Sequence, residues 1–364
     1  MSFMGSEIEL LRELSESFGP AGFEREVSEK IRMHVSKFSD EVTSDKLGSV
    51  IFRRKGMADR PKIMLAGHID EVGFIINSIE KDTGYLCFAP LGGWFDQVLL
   101  AQRVIVRSKN GDYLGVIASK PPHLLTPEEQ NQVVKKDSMF IDVGASSEGD
   151  IEKMGIKIGD PAIPYSPFAL INEGKVALGK AFDDRLGAVI AIETIRGFAE
   201  AGSRHPNTLF GAATVMEEVG LRGAGTSAHV IDPDAAIVLE VDIAGDVPGI
   251  KPREAPTKMG KGPSIVTYEA TMIPNQAFKN LAIKVAEDEK IPFQLSLTTR
   301  GGTDAGRIHI HKTGCPTIVI CVPTRHIHSH VALLSTSDLA YAIKLTSKIV
   351  ERLDWSTVES FTKL

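Results

Sequence analysis

Two aspartates and an arginine stand directly against a long apolar run in "GKAFDDRLGAVIAIETI", residues 179–195. The run from Leu186 to Ile195 is apolar nearly all round, which predicts a helix buried on several sides. One aspartate at such a helix start caps the free N–H groups and meets the positive end of the dipole. The second calls for other chemistry. Carboxylates and imidazoles recur along the chain: His68-Ile69-Asp70 after "KIMLAG", Glu217-Glu218 after "GAATVM", Asp242 closing "AIVLEV", and His326-Ile327-His328-Ser329-His330 after "TIVICVPTR". Any one of these is commonly a helix cap or a hydrogen-bonded core histidine. Their coincidence favours a metal centre, and imidazole with carboxylate but no thiolate suits Zn²⁺, Co²⁺ or Mn²⁺.

The charge balance favours two ions. An open catalytic site for one divalent ion needs only about three protein ligands. His68, Asp183, Glu218, Asp242 and His328 supply more, with three carboxylates among them. Those three charges and one hydroxide balance two divalent cations, expected as Zn²⁺ with Co²⁺ or Mn²⁺ as alternatives. Asp183 can then offer one oxygen to each of two ions about 3.5–4 Å apart. Asp184 and Arg185 act beside it at the helix start.

Every one of these residues falls at a strand end or a helix start, where open α/β sheets bind ligands. The elements that place them are legible as patterns. Residues 7–18 put Ile8, Leu11, Leu14 and Phe18 on one helical face, and a second helix turns Val27, Ile31, Val35 and Phe38 inward. Strands are expected at "GSVIFRR", "KIMLAGH", 208–216, 235–241, 293–297 and 316–322, with helices over 184–201, 275–290 and 337–353. This alternation predicts a three-layer α/β/α sandwich with a central mixed sheet. Between about 71 and 170 the texture changes to glycine, proline and short alternating runs. "RVIVRSKNGDYLGVIAS" reads as a hairpin across Asn110-Gly111, and "LTPEEQ" as a capped helix start. The expected organisation is a catalytic domain of residues 1–70 and 171–364, with an inserted β-barrel domain at 71–170.

Composition excludes several classes. The chain has 364 residues, 43% hydrophobic, and a net charge of −6 with signs interspersed. No basic stripe points to nucleic acid, and no apolar run is long enough for a bilayer. The start "MSFMGSEIEL" lacks a basic segment followed by an apolar stretch, and Cys87, Cys315 and Cys321 form no CxxC. A cytoplasmic protein with free thiols is the expectation.

Taken together, "GHIDEVGF", "GKAFDDRLG", "MEEVGLRGA", "VLEVDIAGD" and "PTRHIHSH", in this order, resemble the glutamyl or deblocking (tetrahedral) aminopeptidases, which include proteins once labelled cellulase M. The resemblance covers almost the whole chain. It implies that His68 and Asp242 bind one metal, Glu218 and His328 the other, and that Asp183 bridges them. It implies Glu217 as general base and Asp70 as the residue orienting His68. It further implies a PDZ-like inserted barrel that drives homo-oligomers, from dimers to a tetrahedral dodecamer, and peptides as substrates. Neighbouring residues of a strand point to opposite faces, which agrees with separate roles for Glu217 and Glu218.

The expected function is therefore removal of N-terminal residues from peptides by a metal-activated water. Glycoside hydrolysis is the alternative from another class, since paired carboxylates are present, and a deacylase of small amides is a closer one. Sugar grooves favour exposed aromatics, however, and the chain has 2 Trp and 5 Tyr. Two segments stay ambiguous at this level. "GGTDAGRIH" (301–309) reads either as an anion-binding turn or as a plain turn with Asp304 as cap. "GKGP" (260–263) reads as a structural turn, and Arg325 as a substrate contact or an ion-pair partner. Three alternating histidines, His326, His328 and His330, would share one side of an extended segment.

Overall fold

In the computed structural model, which describes residues 5–363, the chain opens with helices Ser6–Glu16 and Arg25–Val35. Strands β1 (Glu41–Ser44), β2 (Val50–Lys55) and β3 (Lys62–His68) follow. The chain then leaves for six strands: β4 (Gly73–Ile79), β5 (Leu86–Leu91), β6 (Arg103–Ser108), β7 (Gly111–Ala118), β8 (Phe140–Asp142) and β9 (Pro161–Pro164). It returns through β10 (Ala169–Ile171), β11 (Val176–Gly179), β12 (Thr208–Thr214), β13 (Ala235–Ile243), β14 (Ser264–Tyr268), β15 (Gln294–Leu297), β16 (Thr317–Arg325) and β17 (Ala332–Ser335).

The first and last groups form one mixed sheet of 11 strands, in the order β1-β2-β12-β3-β13-β16-β17-β11-β10, with β14 and β15 branching from β16. Its centre is parallel: β12 on β3, β3 on β13, β13 on β16. Alternation along the strands gives each face its own core. Ile63, Leu65, Ile237 and Leu239 pack with the helices Ser6–Glu16, Phe182–Glu200 and Thr336–Val350, while Met64, Ala66, Ala236 and Val238 pack with helix Arg222–Ile231 and the turn Ala305–Ile308. This is the expected three-layer sandwich with a mixed sheet.

The intervening six strands close on themselves as an antiparallel barrel, β9 pairing with β4. Phe74, Ile76, Leu86, Val104, Val106, Ile117 and Ile141 fill it. The expected hairpin forms, but its turn residues are Lys109-Asn110, one position before the expected pair, with Ser108 opposite Gly111; Thr126 and Glu129 form the capping box.

Two local expectations differ. Asp183 and Asp184 have non-helical backbone angles inside Phe182–Glu200, so the regular helix begins after both aspartates. The histidine segment is not extended. His326 and His328 have φ of +63° and +53°, so the chain turns after β16 and sends its three histidines to different places.

Candidate metal centre

His68 is the last residue of β3, and Ala66 pairs with Val238 of β13. Continuing that parallel register sets Glu240 level with His68 on the same sheet face. The side chains meet accordingly, with Glu240 Oε2 3.8 Å from His68 Nε2. Asp183 enters from the helix start and lies between two imidazoles. Its Oδ1 is 3.2 Å from His68 Nε2, and its Oδ2 is 3.5 Å from His328 Nε2. Glu218 Oε2 stands 3.9 Å from His328 Nε2, and Glu217 Oε2 stands 3.8 Å from His68 Nε2.

Of the residues expected to bind metal, His68, Asp183, Glu218 and His328 are thus brought together, and Asp242 is not. Asp242 lies two residues beyond Glu240, and its carboxylate accepts a hydrogen bond from Ser264 Oγ at 2.6 Å. Among the described residues, the groups close enough to share an ion are His68, Asp183 and Glu218, and His68, Asp184 and Glu240. Glu240 was visible within "VLEVDIAGD", but no pattern in the sequence separates it from Asp242.

The surrounding residues fix orientation. His68 Nδ1 faces the Asp70 carbonyl at 3.1 Å, with Asp70 Oδ1 at 3.5 Å, which leaves Nε2 for the centre. The Asp70 carboxylate also accepts from the backbone N–H groups of Glu217 (3.0 Å) and Glu218 (3.1 Å). Asp184 is buried, and its carboxylate accepts from the N–H groups of His68 and Gly187, both at 3.0 Å. Arg185 is fully buried and donates to the carbonyls of Leu14, Ser17, Gly19 and Ile69 and to Glu71 Oε1. Lys180 Nζ donates to both Glu71 oxygens. That network ties the end of β3 to the loop carrying Asp183.

The electrostatics are those of a site built around positive charge. Burial opposes protonation of His68, but Glu217, Glu240, Asp183 and Asp70 outweigh it and hold its pKa well above the ordinary value. Burial, and then repulsion from neighbouring carboxylates, pushes Glu217, Glu218 and Glu240 well above the carboxylate range. Burial would raise Asp183 as well, but its hydrogen bond to His68 and the charge of His328 keep it low. Divalent cations would relieve this crowding of carboxylates, and the imidazole and carboxylate donors fit them.

A cavity of about 390 Å³ opens beside these residues, walled by Val241, Asp242, Ile243, Glu254, Ala255, Pro256, Leu297 and the turn Arg300–Thr303. The turn therefore lines the cavity, whereas Asp304 makes no cap hydrogen bond and instead accepts from Thr214 Oγ1 at 2.5 Å. "GKGP" is a structural turn: the N–H groups of Gly260 and Gly262 donate to Asp338 at 2.6 and 2.9 Å. Arg325 forms an ion pair with Asp246, its Nε 3.0 Å from Oδ1. His330 is buried against Trp94, the ring centres 5.4 Å apart.

Residues 48–345 match the family described as M42 glutamyl aminopeptidase. The chain is 37% identical to the putative aminopeptidase FrvX of Escherichia coli, covering 98% of each chain. Among solved structures it resembles a TET aminopeptidase from a marine sediment archaeon of the Thaumarchaeota, at 59% identity and a TM-score of 0.96, covering 98% of this chain and 99% of that one. It also resembles the TET1 peptidase of Pyrococcus horikoshii, at 29% identity and a TM-score of 0.83, covering 96% of this chain and 100% of that one; that peptidase assembles into a tetrahedron or a large octahedral shell.

Proposed function

The chain belongs to the M42 glutamyl aminopeptidase family and is a metal-dependent aminopeptidase, and from that premise we propose that it holds two divalent ions, one on each side of Asp183. The observation that carries this reading is the placement of the two Asp183 oxygens, each against a different imidazole. His68 and Glu240 serve one ion, and Glu218 and His328 the other. Glu240 replaces Asp242 in the ligand set, and the total of three ligand carboxylates is preserved. Zn²⁺ is the ion we favour, with Co²⁺ and Mn²⁺ as alternatives.

When bound, the ions supply Lewis acidity toward the scissile carbonyl and lower the pKa of a water. The chain's own residues do the rest. Glu217 faces the cavity beside His68, takes a proton from the attacking water and returns it to the leaving amine. Asp70 holds the Glu217–Glu218 backbone and the His68 ring, so one buried carboxylate sets the positions of the base and of two ligands. Neither glycoside hydrolysis nor deacylation is favoured, because the family and the relatives are aminopeptidases.

Residues 71–170 are the proposed assembly domain of a cytoplasmic homo-oligomer, dimeric or a tetrahedral dodecamer. Leu114, Leu124 and Ile158 of this domain expose more than half their surface, at 54%, 68% and 63%. A monomeric native mass at micromolar concentration would overturn that proposal.

The metal reading is tested by chelation, refilling with Zn²⁺ and elemental analysis. Two ions per chain should restore cleavage of aminoacyl p-nitroanilides, and Glu240→Gln should hold one fewer. Full activity with one ion per chain would overturn the dinuclear assignment.

A further inference from the structure

The proposed chemistry leaves Asp242 without a role, yet it stands in the wall of the cavity. It shares a face of β13 with Glu240, two residues further along, so it lies about 6–7 Å from the proposed ligand at the rise of a strand. That is about the span of an extended lysine side chain. Ser264 Oγ occupies one oxygen of Asp242. Ser296, Thr257 and the Ile243 backbone also help hold this carboxylate in place in the wall. Val241, Ile243, Pro256 and Leu297 add apolar surface to the lining of the cavity.

Most of the other charges that line the cavity are acidic too. Glu269 is engaged by Thr271 and Thr303, and Glu254 adds an exposed carboxylate that accepts from the Lys251 N–H. Arg300, on an exposed turn, also lines the cavity.

We propose that Asp242 determines specificity for the N-terminal residue and selects a basic side chain, lysine or arginine. This rests on the aminopeptidase reading above. The methylene stem of such a residue covers the apolar wall, and its charged tip meets the carboxylate in a charge-assisted hydrogen bond. A shorter apolar residue does not reach Asp242, and an acidic one is repelled by it.

The test compares kcat/KM for lysyl, arginyl, leucyl and glutamyl p-nitroanilides on zinc-loaded protein, with metal content measured in parallel. Lysyl and arginyl substrates should exceed the other two by at least about tenfold, and Asp242→Asn should lower the lysyl-to-leucyl ratio by at least about tenfold with zinc per chain unchanged. A leucyl or glutamyl preference, or an unmoved ratio in Asp242→Asn, overturns the proposal alone. Loss of zinc in that variant also overturns it and returns Asp242 to the ligand set. Failure to cleave any of the four substrates overturns the aminopeptidase reading and this proposal with it.

Discussion

His328 Nδ1 donates a hydrogen bond to the carbonyl of Gly93, 2.8 Å away. The histidine follows the last parallel strand of the central sheet, and the glycine belongs to the loop that follows β5 of the barrel. With Nδ1–H tied to that carbonyl, the Nε2 lone pair faces Asp183 and Glu218. The barrel therefore orients a proposed ligand of the metal centre.

Gly92 makes that coupling testable. Its φ is +82°, and a methyl group there would sit 3.1 Å from Glu218 Oε2 and 2.8 Å from Val72 Cγ1. Gly144, also in the barrel segment, has φ +77° and open space around it. Alanine at either position pays about 1–2 kcal/mol for the left-handed backbone. Only Gly92→Ala should weaken zinc binding, by about 10–100-fold, read by calorimetric titration. Equal zinc affinities in the two variants would show that the barrel loop does not constrain the centre.

Glu217 and Glu218 are adjacent, and Asp70 holds both their N–H groups, yet their side chains serve different neighbours. Glu217→Gln keeps the shape but cannot pass on a proton. Its kcat should fall by about 10²–10⁴, with KM and zinc content near those of the parent. Glu218→Gln should lose zinc as well as rate. The reverse pattern of zinc content would exchange the two roles.

Glu24 gives the fold a measurable pH dependence. Burial raises its pKa from 4.5 to about 7, although its Oε1 accepts from the N–H groups of Gly22 and Met216. Between those values the folded state holds a proton that the unfolded state has released. Stability contributed by this group is therefore present below pH 4.5 and lost as pH rises toward about 7. The span of about 2.5 units corresponds to roughly 3 kcal/mol at most. Glu24→Gln should flatten the fall in denaturation midpoint between pH 5 and 7, as measured by urea titration, by that order. An unchanged slope would place the proton elsewhere.

Much of the molecule could be read from residue order. The period of 3.6 in Ile8, Leu11 and Leu14, and the short apolar run in "KIMLAGH", follow from which faces must be buried, and both elements form where expected. The hairpin near Asn110-Gly111, whose turn falls one residue earlier, and the capped start at Thr126-Pro127 carry their own local geometry and needed no tertiary context. The short strands β14 and β17 were not anticipated. They are four or five residues long, and their place on β16 and β11 depends on partners distant in the chain.

The donor types of the candidate centre were also a property of the sequence, because histidines and carboxylates cluster where apolar runs stop. Which donors meet was decided by tertiary structure. Glu240 and Asp242 share a strand face under a period of two, so patterning cannot choose between them. The parallel register of β3 and β13 chooses, since β3 ends at His68 and that residue is level with Glu240. His326, His328 and His330 alternate in the same way, and a positive φ at His326 and His328 breaks the alternation. His328 alone reaches Asp183, while His330 is buried against Trp94. Spacing along a chain records which face a side chain takes, but only strand pairing and turn geometry bring two such faces to the same height.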